Sequence, residues 1–192
     1  MRDVLQGFPG GSGGLAPGDL PQYLPQRINA GAFKADPDNL TPVYVNKIYG
    51  SGPGSTYAIY PTLSFPQPGA NPQYWYIETS PPQNWTSTQC QFRVHFIIED
   101  AVTLPGNFRF TLGVKRNQSA AAPSGAKVTA NSDFALAGTT VPQKKISTIS
   151  SVITIPSATE DDGLLLELTR GSAPTDDENV TAYVIGIDLF FV

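Results

Sequence analysis

One cysteine, one histidine and one methionine are all that this 192-residue chain holds of three residue types on which much chemistry depends. A lone Cys90 excludes an internal disulfide. Cys90 and His95 together are too few ligands for a conventional zinc site. They also stand an odd number of residues apart in what reads as a strand. They should therefore point to opposite faces, which argues against a thiolate–imidazole pair. Charged residues make up only 15% of the chain, against about 25% in ordinary globular proteins. A surface so poor in charge suits a protein that meets other proteins over much of its area. The formal net charge of −4 disfavours broad binding to nucleic acid, which needs clustered positive charge. No apolar run approaches the roughly 18 residues of a membrane helix, and the amino terminus lacks a signal-peptide pattern. The expectation is a soluble protein made in a cytoplasm, bound neither to membrane nor to nucleic acid.

The polar residues outline no reaction. Glu160-Asp161-Asp162 and Asp176-Asp177-Glu178 lack the spacing of a calcium loop and read as solvated turns. Glu99, Asp100, Glu167 and Asp188 sit in or beside strands, but nothing pairs them as a glycosidase would require. The glycines of Gly10–Gly14 come without the lysine of a phosphate loop. Tyr57, Tyr60, Tyr74-Trp75-Tyr76 and Trp85 could stack on sugars, although aromatic side chains in strands more often fill the core. No catalytic residue, metal ligand or cofactor is expected.

What the chain does contain is strand after strand. In Gln89–Glu99, Phe92, Val94, Phe96 and Ile98 share one face, with Gln91, Arg93 and His95 on the other. Asn107–Arg116 repeats the pattern, with Phe108, Phe110, Leu112 and Val114 inward. The two segments read as an antiparallel hairpin. Further strands are expected at Pro42–Tyr49, Thr56–Phe65, Gln73–Glu78, Ala126–Ala130, Phe134–Leu136 and Lys145–Ile155, the last bent at Ser150-Ser151. Leu164–Thr169 and Val180–Val192 read as a closing hairpin at the centre of the core. In its second limb Tyr183, Ile185, Ile187, Leu189 and Phe191 face inward by the two-residue period. About nine or ten strands and no amphipathic helix predict an all-β fold, a jelly-roll-like antiparallel β-sandwich.

Residues 1–40 differ from the rest. Gly7–Gly14 is a flexible hinge, and Pro17, Pro21 and Pro25 forbid a regular helix. Yet Leu5, Phe8, Leu15, Leu20, Tyr23, Leu24, Ile28 and Phe33 are too apolar for a solvated tail. The expectation is an extended Pro/Gly-rich arm (1–40) ahead of the sandwich domain (41–192). These eight side chains would anchor it on a partner or on its own domain.

The closing segment also carries a resemblance. An apolar strand ending in Leu168-Thr169-Arg170, an acidic turn with Asp176-Asp177-Glu178, and then Tyr183-Val184-Ile185-Gly186-Ile187-Asp188-Leu189-Phe190 resembles the last hairpin of jelly-roll domains in tailed-bacteriophage virion proteins. The likeness covers roughly residues 145–192, and the pattern contains no catalytic motif. It implies a non-enzymatic structural protein of the capsid-decoration (cement) type or a head or tail appendage. It further implies a homotrimer whose partners are the major capsid protein or other virion proteins, located at the capsid surface. A receptor-binding or tail-appendage module that binds host-surface glycans is the alternative.

Overall fold

The computed structural model describes residues 24–35, 44–49, 58–66, 73–98, 106–117, 124–136, 143–171 and 180–192. The chain enters through β1 (Gln26–Asn29), a single 3-10 turn (Ala30–Ala32) and β2 (Lys34–Ala35). It continues through β3 (Tyr44–Tyr49), β4 (Ala58–Phe65), β5 (Tyr74–Thr79) and β6 (Gln89–Ile98). Then come β7 (Gly106–Asn117), β8 (Ser124–Leu136), β9 (Gln143–Ile146), β10 (Ile153–Thr154), β11 (Gly163–Arg170) and β12 (Ala182–Phe191).

These strands form two antiparallel sheets, one of seven strands and one of five. In the first, β9 and β10 lie along β6, followed by β12, β4 and β3, with β1 also on β12. The second runs β2-β5-β11-β7-β8. From β4 onward the chain changes sheet at every step except two: it turns back within one sheet at β7–β8, and β9 and β10 both follow β6. That is jelly-roll connectivity, with β12 between β4 and β6 in one sheet and β11 between β5 and β7 in the other.

Both expected hairpins are therefore corrected. β6 and β7 lie in opposite sheets, and so do β11 and β12. Each strand of these pairs turns its apolar face to the same core, so alternation alone cannot tell a hairpin from two strands facing each other. The weak strands expected near Ala126 and Phe134 are one continuous strand, β8, paired with β7 from Gly106↔Leu136 onward.

The core holds Phe65 and Trp75 with Phe92, Val94 and Phe96 of β6 and Phe108, Phe110 and Leu112 of β7. Leu164, Leu166 and Leu168 of β11 face Val184, Ile187, Leu189 and Phe191 of β12. The expected inward set of β12 is correct for Ile187, Leu189 and Phe191 and wrong for Tyr183 and Ile185. Pairing with β6 runs Val184↔Phe96 and then Gly186↔His95, so Ile185 is the extra residue of a β-bulge. One extra residue reverses the facing of everything before it. Ala182 and Val184 thus enter the core in place of Tyr183 and Ile185.

The bulge sits where β12 changes partner along one edge. β4 pairs with Ala182–Val184, and β1 takes over at Gly186–Leu189. A Cβ on Gly186 would lie 2.3 Å from the Ile28 carbonyl oxygen, so only glycine lets β1 close on β12 here. Gly186→Ala is expected to push β1 off its ladder. Hydrogen exchange should show this as lost protection at Ile28 and Asn29, with β6–β12 pairing retained. Unchanged protection of β1 would show that the contact relaxes without cost.

The boundary expected near residue 40 does not match the strands. Residues 26–35 run from the first sheet to the second: β1 pairs with β12 and β2 with β5. Ala30 and Phe33, between them, are buried in the core. Gln26 Nε2 also donates across to Thr79 Oγ1 of β5 at 3.0 Å. This segment straps one side of the sandwich.

Candidate functional site

The outer face of the seven-stranded sheet carries a buried charge cluster. Asp188 follows the β12 bulge, and β1 and β6 bring two arginines and a histidine to its carboxylate. Arg27 Nη1 donates to Oδ1 at 2.8 Å, and Arg93 Nε donates to Oδ2 at 2.8 Å. His95 Nε2 donates to Oδ2 at 2.7 Å. The registers Arg27↔Asp188 and Asp188↔Arg93 make this a cross-strand row. The Arg93 guanidinium also lies 5.4 Å from the centroid of Phe190.

Burial pushes the Asp188 carboxyl up, but hydrogen bonds from Arg27, His95 and Arg93 outweigh it and leave its pKa well below the usual carboxylate range. Burial first, and then the two arginines, lower the pKa of His95 against the opposing pull of Asp188. His95 is thereby held towards its neutral form; against the ionised Asp188 its proton lies on Nε2, and among the described residues its buried Nδ1 has no hydrogen-bond partner. It lies on the outer face of β6 with Gln91 and Arg93, as the alternation predicts, yet is only 7% exposed. Three donors thus engage both carboxylate oxygens. Its geometry ties the strap to the sheet.

A second charged side chain is used in the same way. Arg170, at the end of β11, is buried. Its Nη1 donates to the carbonyls of Phe65, Pro66 and Val180 at 3.3, 3.0 and 2.6 Å. The guanidinium stacks 4.7 Å from the Phe108 ring centroid. One arginine thus joins the end of β4 and the start of β12 to the opposite sheet.

The other edge of the sandwich is closed by Ser147–Ser150. This segment interrupts the single strand expected over Lys145–Ile155, leaving β9 and β10 as its ends. Ser147 and Ser150 keep backbone bonds to Val94 O and Phe92 O. Their hydroxyls also accept from the backbone N–H of Val94 at 2.7 Å and Phe92 at 3.0 Å. On the other side Thr148 N donates to Asp133 O at 2.8 Å, and Ser132 Oγ bonds to Ser147 Oγ and to the Thr148 carbonyl. The segment is bonded to β6 of one sheet and β8 of the other. With its hydroxyls turned inward, Ile146, Ile149 and Val152 are left 45%, 50% and 47% exposed.

The remaining sequence candidates fall as follows. Cys90 is fully buried on the core face of β6, and burial pushes its thiol up to about 12. It is expected to resist thiol reagents in the native chain at pH 8 and to react at once in denaturant; rapid native labelling would contradict its placement. Trp75 and Trp85 are core residues, 0% and 2% exposed, so neither offers a stacking surface to a sugar. Trp85 meets Phe191 edge to face at 5.4 Å and donates Nε1–H to Gln89 O. Asp162 corrects the solvated-turn expectation. It is buried, pairs with Arg116 Nε at 2.8 Å and accepts from Thr159 N and Oγ1. Glu160, by contrast, is exposed and accepts from the Asn84 backbone N–H. Glu167 pairs with Lys127 at 2.6 Å. Glu99, Asp100, Tyr57 and Asp176–Glu178 lie outside the described residues. Among the described residues no group of His, Cys, Asp and Glu is placed to hold a metal ion, and no helix is long and apolar enough to cross a membrane.

Of the eight arm anchors, Ile28 and Phe33 are buried in this chain's own core. They are anchors, but of the strap rather than of a reach toward a neighbour. Leu24 is 90% exposed beside a cavity of about 320 Å3 that Pro81, Pro82 and Phe191 help to line. Leu5, Phe8, Leu15, Leu20 and Tyr23 lie outside the described residues.

No protein-family profile and no curated protein matches the chain. Among solved structures, the chain is similar to the CBM22-1–GH10 modules of a Clostridium thermocellum endo-1,4-beta-D-xylanase complexed with xylohexaose, at 11% identity and a TM-score of 0.40. That match covers 86% of this chain and 28% of the xylanase chain, so this chain spans less than a third of that relative's length. It is also similar to TmCBM61 in complex with beta-1,4-galactotriose, at 12% identity and a TM-score of 0.29, covering 83% of this chain and 87% of the other. The strand order itself, not these likenesses, sets the fold: an antiparallel β-sandwich of jelly-roll topology.

Proposed function

We propose that the chain is a non-enzymatic structural subunit of a tailed-bacteriophage virion, a homotrimeric decoration protein that stabilises the capsid surface. The observation that carries this reading is the use made of the reactive side chains. Asp188, His95, Arg170 and Asp162 are all engaged in holding strands together, and Cys90 is sealed in the core. A sandwich laced along both edges is suited to bearing load rather than to opening around a substrate. Ile146, Ile149 and Val152 lie half exposed on one sheet edge, where a neighbouring subunit would cover them. Exposed Leu24 is the one arm anchor among the described residues still open to a capsid protein. The test is co-sedimentation of the full chain with undecorated capsids of the virus that encodes it. Saturable binding that raises the capsid's melting temperature is expected. Failure to bind at micromolar concentration would overturn the reading.

A further inference from the structure

A groove of about 390 Å3 opens on the outer face of the five-stranded sheet, lined by Ala32, Lys34, Tyr76, Ile77, Glu78 and Leu165. Its volume falls in the range of ligand pockets, roughly 300–1,000 Å3. We propose that it binds a neutral saccharide chain. The argument begins with what lies unused there. Lys34 makes no ion pair or side-chain hydrogen bond among the described residues, so its ammonium group is a donor in waiting. Among the described residues Glu78 is held by one oxygen: Asn117 Nδ2 donates to Oε1 at 2.7 Å. The same oxygen lies over Gly163, where a Cβ would come within 2.6 Å of it. Oε2 is left as a fixed acceptor. Leu165 is the one large apolar residue on an outer face of β11 whose other members are Gly163, Glu167 and Thr169.

A donor, an oriented acceptor, a half-buried tyrosine and an aliphatic floor match a pyranose ring. Its hydroxyls both donate and accept, and its C–H face packs on aromatic and aliphatic carbon. The surroundings favour a chain over a single ring. Lys34, Tyr76, Glu167 and Gly113 stand in register across the sheet, and the methylenes of Lys127 cross Gly113 to reach Glu167. In the next row Thr111 Oγ1 donates to Asn131 Oδ1 at 2.8 Å. Polar side chains thus line the sheet face beside the groove, paired with one another across strands. Lys127 is paired with Glu167, and Lys34 and Lys115, the latter beside Leu165, exceed Glu78 by one charge only; the Glu78 carboxylate inside the groove opposes a polyanion and favours a neutral polymer.

The experiment is calorimetric titration of the full chain with neutral hexose, pentose and N-acetylhexosamine oligosaccharides, with an oligouronate as the acidic comparison. At least one neutral oligosaccharide is expected to bind. Glu78→Gln, an exposed change that leaves the core untouched, should weaken it at least about tenfold, as should Tyr76→Ala. Ile149→Ser on the far edge should leave it unchanged. No neutral ligand, binding only of the oligouronate, or binding indifferent to Glu78→Gln would each overturn the proposal. Capsid co-sedimentation should be the same for Glu78→Gln and the native chain, so failure here is separable from failure of the structural reading.

Discussion

Truncating Phe96 to alanine is expected to lower folding stability by about 3–5 kcal/mol, the usual cost of deleting a buried aromatic side chain. The upper part of that range is expected. Phe96, on the seven-stranded sheet, meets three rings of the opposite sheet: Phe108 at 5.2 Å, Phe110 at 5.1 Å and Phe134 at 5.6 Å between centroids. Phe110 in turn contacts Phe65 edge to face at 6.2 Å. Removing Phe96 would therefore open a cavity between layers that the strapped edges keep from collapsing. Denaturant unfolding measures the effect as a lower midpoint at unchanged slope. A loss below about 1 kcal/mol would mean that these faces do not pack on each other as described.

Asp188→Ala should be nearly as damaging, at about 2–3 kcal/mol. Breaking a fully buried ion pair by deleting one partner costs roughly 3–5 kcal/mol, because a charge is left without its counter-ion. The expected loss is smaller here because the Arg27 and Arg93 side chains remain 33% and 34% exposed, so water screens them. The same cluster sets a pH dependence. Asp188 and His95 both bind protons more weakly folded than unfolded, so acid favours unfolding through each. The His95 contribution is complete above roughly pH 6.5 and declines as the pH falls below it towards the lowered folded value. The Asp188 contribution is complete above roughly pH 4 and is lost as the pH falls through its depressed folded value. Melting temperature against pH should therefore fall in two stages. His95→Gln should remove the upper stage, and Asp188→Ala should shrink the lower, to which the depressed carboxyl of Asp162 also contributes. A profile flat from pH 7 to pH 5 in the native chain would contradict the burial of His95.

The strands of this sandwich were legible because their signal is local. β6 and β7 alternate without a break, and Phe92, Val94, Phe96, Phe108, Phe110 and Leu112 all lie in the core where the period puts them. Which sheet each strand joins was not legible, since two strands facing each other and two strands side by side share one inward pattern. The bulge at Ile185 was equally hidden: its cause is a change of partner strand and the close approach of Ile28, neither of which leaves a mark within Val180–Val192. The charged staples had a signal that went unread. Asp188 and Arg170 interrupt apolar strands, and a charge in such a place demands a partner. The partner itself was out of reach, because Arg27 lies 161 residues from Asp188. Likewise Ser147 and Ser150 read as ordinary strand residues, although their hydroxyls take over the ladder on β6 and turn three apolar neighbours outward.

Those outward-turned residues bear on assembly. On the proposed function, Ile146, Ile149 and Val152, exposed along one sheet edge, are the apolar surface that a neighbouring subunit covers. Light scattering of the full chain after gel filtration tests this most directly. The expected result is a mass of three chains of 20.5 kDa each, held on dilution to the micromolar range. A single 20.5 kDa species that persists at high concentration would contradict it.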